Sequence, residues 1–430
     1  MKYILNKFLA NRDALAVATF VAGLPFIYFL RDGVKLAPAN TFFAIFLLFF
    51  PFALSLIFKD LKTFDAPNKV GFTLLSWFII IGFTYYLLRD RYTAVNGVRE
   101  FLNFILIFLI YFGSVFIKRE SLNKNFIYII IFLSVLGAVS LIYFTFTNPL
   151  YQFGQRASIA LDEDGATGGN PHINSRGAFY GLIASVLALK YNKQLKLGFI
   201  IPLLTILLFI VVLFLTQTML AFLAAFIFLA LFLFFNFNLK KIGSTLKFLF
   251  FKWYVLLALA LGITKGVSSL DKDTDFITPI TNYMGYRLSS IMESFESSDG
   301  KKKSKKVAGD DSANTRIMLI TTVFERFAEN IEEGKVRYAV FGNGYQSLYV
   351  DVPQMEVLDS YGILIFIFYS VMFFHLVKIA WKEIKNPDSM GTEFIAYAFI
   401  YYFVANFTAG VVVDYTRLGM YILLVRFVRK

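Results

Sequence analysis

Five arginines, two carboxylates and a histidine stand where apolar runs begin or inside the one long polar stretch of the chain. The arginines are Arg99, Arg176, Arg287, Arg316 and Arg326. Arginine stays charged at any biological pH and presents a planar fork of donors suited to phosphate or carboxylate. Arg176 ends the run Asn170-Pro171-His172-Ile173-Asn174-Ser175-Arg176, directly before an apolar block. Pro and Asn suit a turn there, and Ser or Asn suits a helix cap. Two readings fit: a snorkelling Arg at an ordinary helix start, or a helix N-terminus and a guanidinium acting together on an anion. Arg99, beside Glu100, opens the fourth apolar run and reads either as an interface residue or as a functional charge. Arg316 falls in the first turn of an amphipathic stretch, where the helix dipole disfavours a cation, so a ligand is one reason for it. Arg326 follows on the same stretch, where solvent exposure explains it as well as ligand contact does.

Asp351, Glu356 and Asp359 precede Gly362 and a clean apolar run. Ordinary helix capping accounts for Asp359. Asp351 and Glu356 lie further out and are candidates for a general base. His172 is a further proton acceptor, or simply a loop residue making a turn hydrogen bond. Phe341-Gly342-Asn343-Gly344-Tyr345 marks a tight turn. Cys is 0, so disulfides, thiolate chemistry and Cys-based metal sites are excluded, and no metal site is expected.

These residues need a frame, and the frame is a membrane. The 430 residues are 58% hydrophobic and only 17% charged, too little charge for the surface of a soluble domain of this length. Apolar blocks long enough to cross a bilayer recur. Candidate spans are about 14–30, 41–58, 71–88, 97–117, 126–146, 177–190, 197–214, 217–236, 248–264, 360–380, 393–412 and 415–428. The unbroken run 197–236 is too long for one span and splits at Leu215-Thr216-Gln217-Thr218. The expected fold is therefore an all-α polytopic membrane protein: nine spans over 1–264, a large loop over 265–359 and three spans over 360–430. The loop, about ninety residues, is far longer than a connection requires. It is expected to be partly helical over Ser312–Glu333 and disordered at a basic tip, Lys301–Lys306. The net charge of +13 is dealt out between apolar blocks, which makes it a topology signal and excludes nucleic acid as a partner. Basic loops such as Lys118/Arg119/Lys124 and Lys378/Lys382/Lys385 place both termini in the cytoplasm and the large loop outside. No cleavable signal peptide is evident, because no small-residue site follows the first apolar run.

Several of these features occur together in one known family. About twelve spans, a very large late loop, an Arg in the setting Asn314-Thr315-Arg316, then Gly342-Asn343-Gly344 and a polar segment closing on Tyr361-Gly362-Ile363 resemble the O-antigen ligase/O-antigen polymerase superfamily. The resemblance covers most of the chain in architecture, through short motifs. It implies an integral-membrane glycosyltransferase on the outer face of the bacterial inner membrane. Such an enzyme moves a glycan from undecaprenyl pyrophosphate without a nucleotide sugar, cofactor or required metal. Ligases of this family carry a His-Asn pair about eleven residues before the loop-closing Gly, a count that lands here on Asp351-Val352. Their Ser-Arg at a mid-chain span start corresponds to Leu215-Thr216-Gln217-Thr218-Met219. Both departures favour a polymerase over the alternative, a ligase-type glycan transferase. A flippase or other polysaccharide transporter is a third class, which would carry more charge deep in its spans. The implied partners are lipid-linked donor and acceptor oligosaccharides, membrane lipid and a chain-length regulator protein. The implied roles are pyrophosphate binding by Arg176, Arg287 and Arg316, with Arg326 and Arg99, and general-base work by Asp351, Glu356 or His172.

Overall fold

The computed structural model describes residues 2–37, 41–56, 68–89, 97–149, 151, 156–159, 170–191, 200–236 and 311–429. Arg287, the basic tip and the expected span 248–264 lie outside these residues. By contacts the chain forms two compact units, Met1–Phe226 with Asp311–Lys430, and Ile227–Asp310. The first carries every residue of the cleft described below; of the second, the described part is the end of one helix.

Among the described residues the structure is helical, with no strand. The helices are α1 (Lys2–Ala22), α2 (Leu24–Tyr28), α3 (Thr41–Leu56), α4 (Lys69–Leu87), α5 (Gly97–Val115), α6 (Lys124–Thr147) and α7 (Pro171–Tyr191). They continue with α8 (Ile200–Thr216), α9 (Met219–Asn236), α10 (Asp311–Glu332), α11 (Val336–Phe341), α12 (Pro353–Lys385), α13 (Met390–Thr408) and α14 (Tyr415–Phe427). Of these, α4, α5, α6, α9 and α12 are long and apolar enough to cross a membrane. The pair Asn11–Ala22 and Leu24–Gly33, bent by 69°, makes a sixth if counted as one span. The protein is thus an α-helical membrane protein. Stripes of large exposed side chains, such as Phe101, Ile105, Leu109 and Phe112 on α5, recur at helical spacing and suit lipid rather than water.

Local chemistry sets the breaks. The forty-residue apolar run divides where α8 ends at Thr216 and Gln217 takes a left-handed φ of 48°. Ser389 caps α13 in a reciprocal box with Thr392, its Oγ accepting from the Thr392 amide at 3.2 Å. The α1–α2 bend falls at Gly23-Leu24-Pro25. Pro25 is gripped by two glycines: a Cβ on Gly137 or on Gly177 would stand 2.6 or 2.5 Å from its ring. Gly177 directly follows Arg176, so the bend and the start of α7 are seated together.

The late helices form the centre. α13 and α14 are buried on nearly every side, and α14 packs against α4, α5, α12 and α13. A buried cation ties α14 to α5. Arg426 donates from Nε to Ser114 O (3.1 Å) and from Nη2 to Val115 O (3.1 Å) and Ile117 O (2.6 Å). Ser114 and Val115 are the last residues of α5 and Ile117 lies just beyond it; Ser114 O also accepts from Ile117 N at 3.2 Å.

The segment before the α12 span is folded as a backbone joint. α12 breaks at Gly362 (φ 76°, ψ 178°), leaving Pro353–Tyr361 as a separate short helix. α11 ends at Gly342, also at positive φ (79°). The two glycines meet backbone to backbone, and Asn343 N and Gly344 N donate to Asp359 O (2.8 Å) and Ser360 O (3.1 Å). α10 covers the joint. Its Val323 is buried with Val350, Val352 and Leu358.

Candidate active site

Three helix starts, α10 and the loop ahead of α12 converge on one cleft of about 880 Å³. Arg99 and Glu100 come from the first turn of α5, His172 and Arg176 from α7, Arg316 from α10 and Asp351 from the loop. Asp414 and Arg417 come from the start of α14, and Tyr402 of α13 closes one wall. Four guanidiniums therefore face three carboxyl groups across the cleft.

Arg176 and Arg417 form its deep end. Arg176 donates from Nη1 to Tyr402 Oη at 2.7 Å and Thr416 Oγ1 at 2.8 Å, neither of them anionic. Arg417 is 3% exposed. Its Nη2 donates to Ala409 O at 2.8 Å, while Nε and Nη1 meet no acceptor in good geometry. Both guanidinium carbons lie near the Tyr402 ring, 6.0 and 5.8 Å from its centroid, within cation–π range. Asp414 caps α14, its Oδ1 accepting from Thr416 N at 2.9 Å and Arg417 N at 3.1 Å. A buried guanidinium with donors to spare is costly unless an anion meets it. The deep end of the cleft therefore concentrates positive charge beside the Asp414 carboxylate.

Arg316 and Asp351 form the opposite, more open wall. Nε and Nη2 of Arg316 both donate to Asp351 Oδ2, at 3.0 and 2.9 Å. Asp351 Oδ1 accepts from Gly410 N at 2.8 Å and from Tyr349 Oη at 3.3 Å. Asp351 itself holds φ at 55°, a left-handed conformation costly for a non-glycine residue. Burial, reinforced by the Asp351 charge, pushes the Tyr349 hydroxyl up to about 12, so it remains a donor. For Asp351 to take a proton from a substrate hydroxyl, that hydroxyl must replace one of these donors.

His172 lies in the polar first turn of α7, ahead of the apolar run. Its Nδ1 is buried and has no hydrogen-bond partner. Burial, with the charges of Arg156, Arg316 and Arg176 around it, pushes the imidazole down to about 4. The folded protein therefore holds His172 neutral from pH 6.5 toward 4, while the unfolded chain takes up a proton. Stability is lost as pH falls through that window. His172→Gln removes this linkage. The fall in Tm between pH 7 and pH 5 is expected to be smaller in the variant, and an unchanged fall would place the acid-sensitive group elsewhere.

Five of the residues singled out by sequence share the cleft: Arg99, Arg176, Arg316, Asp351 and His172. Two do not line it. Glu356 is buried, with Oε2 accepting from Val412 N at 2.8 Å. Arg326 pairs with Asp359 at 3.0 Å, where Ser347 and Asn343 also bond to that carboxylate. Both brace the loop that carries Asp351. Arg287 lies outside the described residues. Asp414, Arg417 and Tyr402 are the additions. Asp414-Tyr415-Thr416-Arg417 repeats the signal that marked Arg176, a cap followed by an Arg at the head of an apolar run.

Tyr402→Phe keeps the ring and removes the acceptor of Arg176; Tyr402→Leu removes both. Loss of activity is expected to be partial for Phe and deeper for Leu, at equal protein level. Equal losses would assign the ring no part.

A scan of protein-family models and a search of curated proteins return no match to this chain.

Proposed function

We propose that the protein is a polysaccharide polymerase that extends a lipid-linked glycan at the outer face of the bacterial inner membrane. The donor is a glycan joined at its reducing end to undecaprenyl pyrophosphate. The acceptor is a hydroxyl on a second lipid-linked repeat unit. The acceptor oxygen bonds to the anomeric carbon as the bond from that carbon to pyrophosphate breaks, and the hydroxyl proton passes to a base. Charge builds on the leaving pyrophosphate, and preorganised cations stabilise it most where water is excluded. Arg176 and Arg417 are positioned for that part, with Arg316 and Arg99 toward the open side. Asp351 is the base assigned, with His172 next. The guanidiniums carry the leaving group's charge, so the reading invokes no metal and no cofactor.

The observation that carries this reading is the convergence of four arginines from distant parts of the chain on one cleft with a carboxylate on its wall. The decisive experiment is a deletion strain. Accumulation of single-repeat lipid-linked oligosaccharide, with loss of the polymer ladder, is the expected phenotype. Accumulated full-length polymer on its carrier would instead assign transfer to a final acceptor, the ligase reaction.

The reading carries a topology of about twelve spans, with both termini cytoplasmic and the polar loop outside. Cysteines placed singly at Ser298 and Asn386 of this Cys-free chain are expected to label from opposite sides. Labelling of Ser298→Cys only after the inner membrane is permeabilised would reverse the topology and move the cleft to the cytoplasm.

A further inference from the structure

The apolar surface of α10 is wider than the core it covers. Leu319, Ile320, Val323 and Phe327 pack inward. Ile317, Phe324 and Ile331 do not; they are 42%, 52% and 53% exposed. Spaced seven residues apart, they form one row along the helix, flanking the packed face. Exposed Glu325, Glu329 and Glu332 lie about 100° further round the helix, on the face turned away from the packed core. An exposed apolar row beside a charged face is the pattern of a helix lying in a membrane interface.

The position of α10 names what covers the row. Its inner face shares one buried core with Ile363 and Phe366, the first residues of the apolar run beyond the Gly362 break. That run belongs to a helix long and apolar enough to cross the membrane. Leu364, Ile367, Val371 and Phe374 on the same run are more than half exposed, a surface suited to lipid. The helix is therefore anchored by a shared core at the start of a spanning segment, and its free row has the same apolar character as that segment's exposed side chains. Phe341 of the following helix α11 is 51% exposed as well, and its carbonyl accepts from the Tyr85 hydroxyl near the end of α4 at 2.7 Å.

We propose that α10 is an interfacial helix, with Ile317, Phe324 and Ile331 immersed in the outer margin of the bilayer and the glutamate face in water. The bilayer, rather than another protein, is the partner. One consequence rests on the glycan-transfer reading: Arg316, carried by the same helix, is held at head-group depth, the level of a pyrophosphate on a lipid. The membrane contact itself does not depend on that reading.

The test uses the full-length chain in lipid nanodiscs. Single cysteines at Ile317, Phe324 and Ile331, and at Glu325, Glu329 and Glu332, are nitroxide-labelled and probed with oxygen and with a water-soluble nickel chelate. These side chains are exposed, so labelling leaves the packed face intact, and elution as a single species checks each variant. Positions in the row are expected to favour oxygen, and the glutamate positions nickel. Equal nickel access on both faces would overturn the proposal. Protection of the row from both reagents would overturn it as well, by showing that protein covers it. A supporting result together with wild-type polymer ladders from Arg316→Ala would keep the interfacial helix and remove only the role given to Arg316.

Discussion

Arg176→Ala and Arg316→Ala are each expected to abolish the polymer ladder at unchanged membrane abundance. Removing one donor from a developing oxyanion typically costs about 10²–10³ in rate, enough to reduce a ladder to its first rung. Arg176 is the stricter case. Its fork is already fixed by Tyr402 and Thr416, so little reorganisation precedes its contact with an anion. Arg176→Lys keeps the charge but cannot bridge two oxygens from a planar group, and strong impairment is expected there too. Arg316 raises a second issue, because its removal also frees the Asp351 carboxylate. The double variant Arg316→Ala with Asp351→Asn separates the causes. If Arg316 acts only by restraining Asp351, the double variant resembles Asp351→Asn alone. If it binds the leaving group, the double variant is the worse of the two. Arg337, exposed on α11, is the internal control and should tolerate Ala. Wild-type ladders from both single alanine variants would remove the clamp from the proposed function.

Gly342→Ala and Gly362→Ala are expected to abolish the folded protein rather than its chemistry. Both residues hold φ near 80° with ψ near 180° (79°, 172° and 76°, 178°), a region open essentially to glycine alone. Forcing another residue there costs on the order of 1–3 kcal/mol. Sterics add to it. A Cβ on Gly342 would stand 2.4 Å from the backbone of Ser360 and Tyr361, and one on Gly362 would stand 2.4 Å from Gly342 N and Val340 O. Backbone cannot move aside as a side chain can. The joint would open, releasing the Asn343 and Gly344 hydrogen bonds and the loop bearing Asp351. Gly334→Ala is the comparison, since Gly334 has a φ of 71° but nothing within 4 Å of a Cβ. Thermal unfolding in detergent should rank Gly342 and Gly362 variants far below Gly334→Ala. Similar losses at all three would reduce the joint to backbone strain alone.

The helices were legible because lipid leaves a blunt signal. Apolar blocks near twenty residues, separated by basic clusters, put the starts of α4, α6 and α9 within two residues of their observed positions. The Thr216-Gln217 break was visible for the same reason, as a polar interruption of an otherwise unbroken run. Part of the cleft was visible too. Arg176 and Arg316 each stand as the sixth residue of their helix, past the first turn expected for Arg316 but close enough to the start for the polar residues ahead of an apolar run to mark them. Arg417 stands in the same setting but was hidden by its place near the end of the chain, where a basic residue reads as a cytoplasmic anchor. Glu356 illustrates the reverse. A carboxylate outside an apolar run suggests chemistry, yet its partner, the Val412 amide, is 56 residues distant, a pairing no local pattern announces. The 69° bend after α1 was hidden as well, because Gly-Leu-Pro inside an apolar run also suits a simple kink.

The grip of Arg426 on the end of α5 has a consequence in time. The guanidinium and its first acceptor, Ser114 O, are 312 residues apart in the chain. At a synthesis rate of about 5–20 residues per second, the carbonyls that end α5 wait roughly 15–60 s for their donor. During that interval the end of α5 has only local contacts such as the Ile117 amide on Ser114 O, and lacks the guanidinium that later reaches three acceptors at once. The first helices made are thus among the last to be secured. A nascent chain stopped short of α14 lacks the cation that joins the end of its fifth helix to its last.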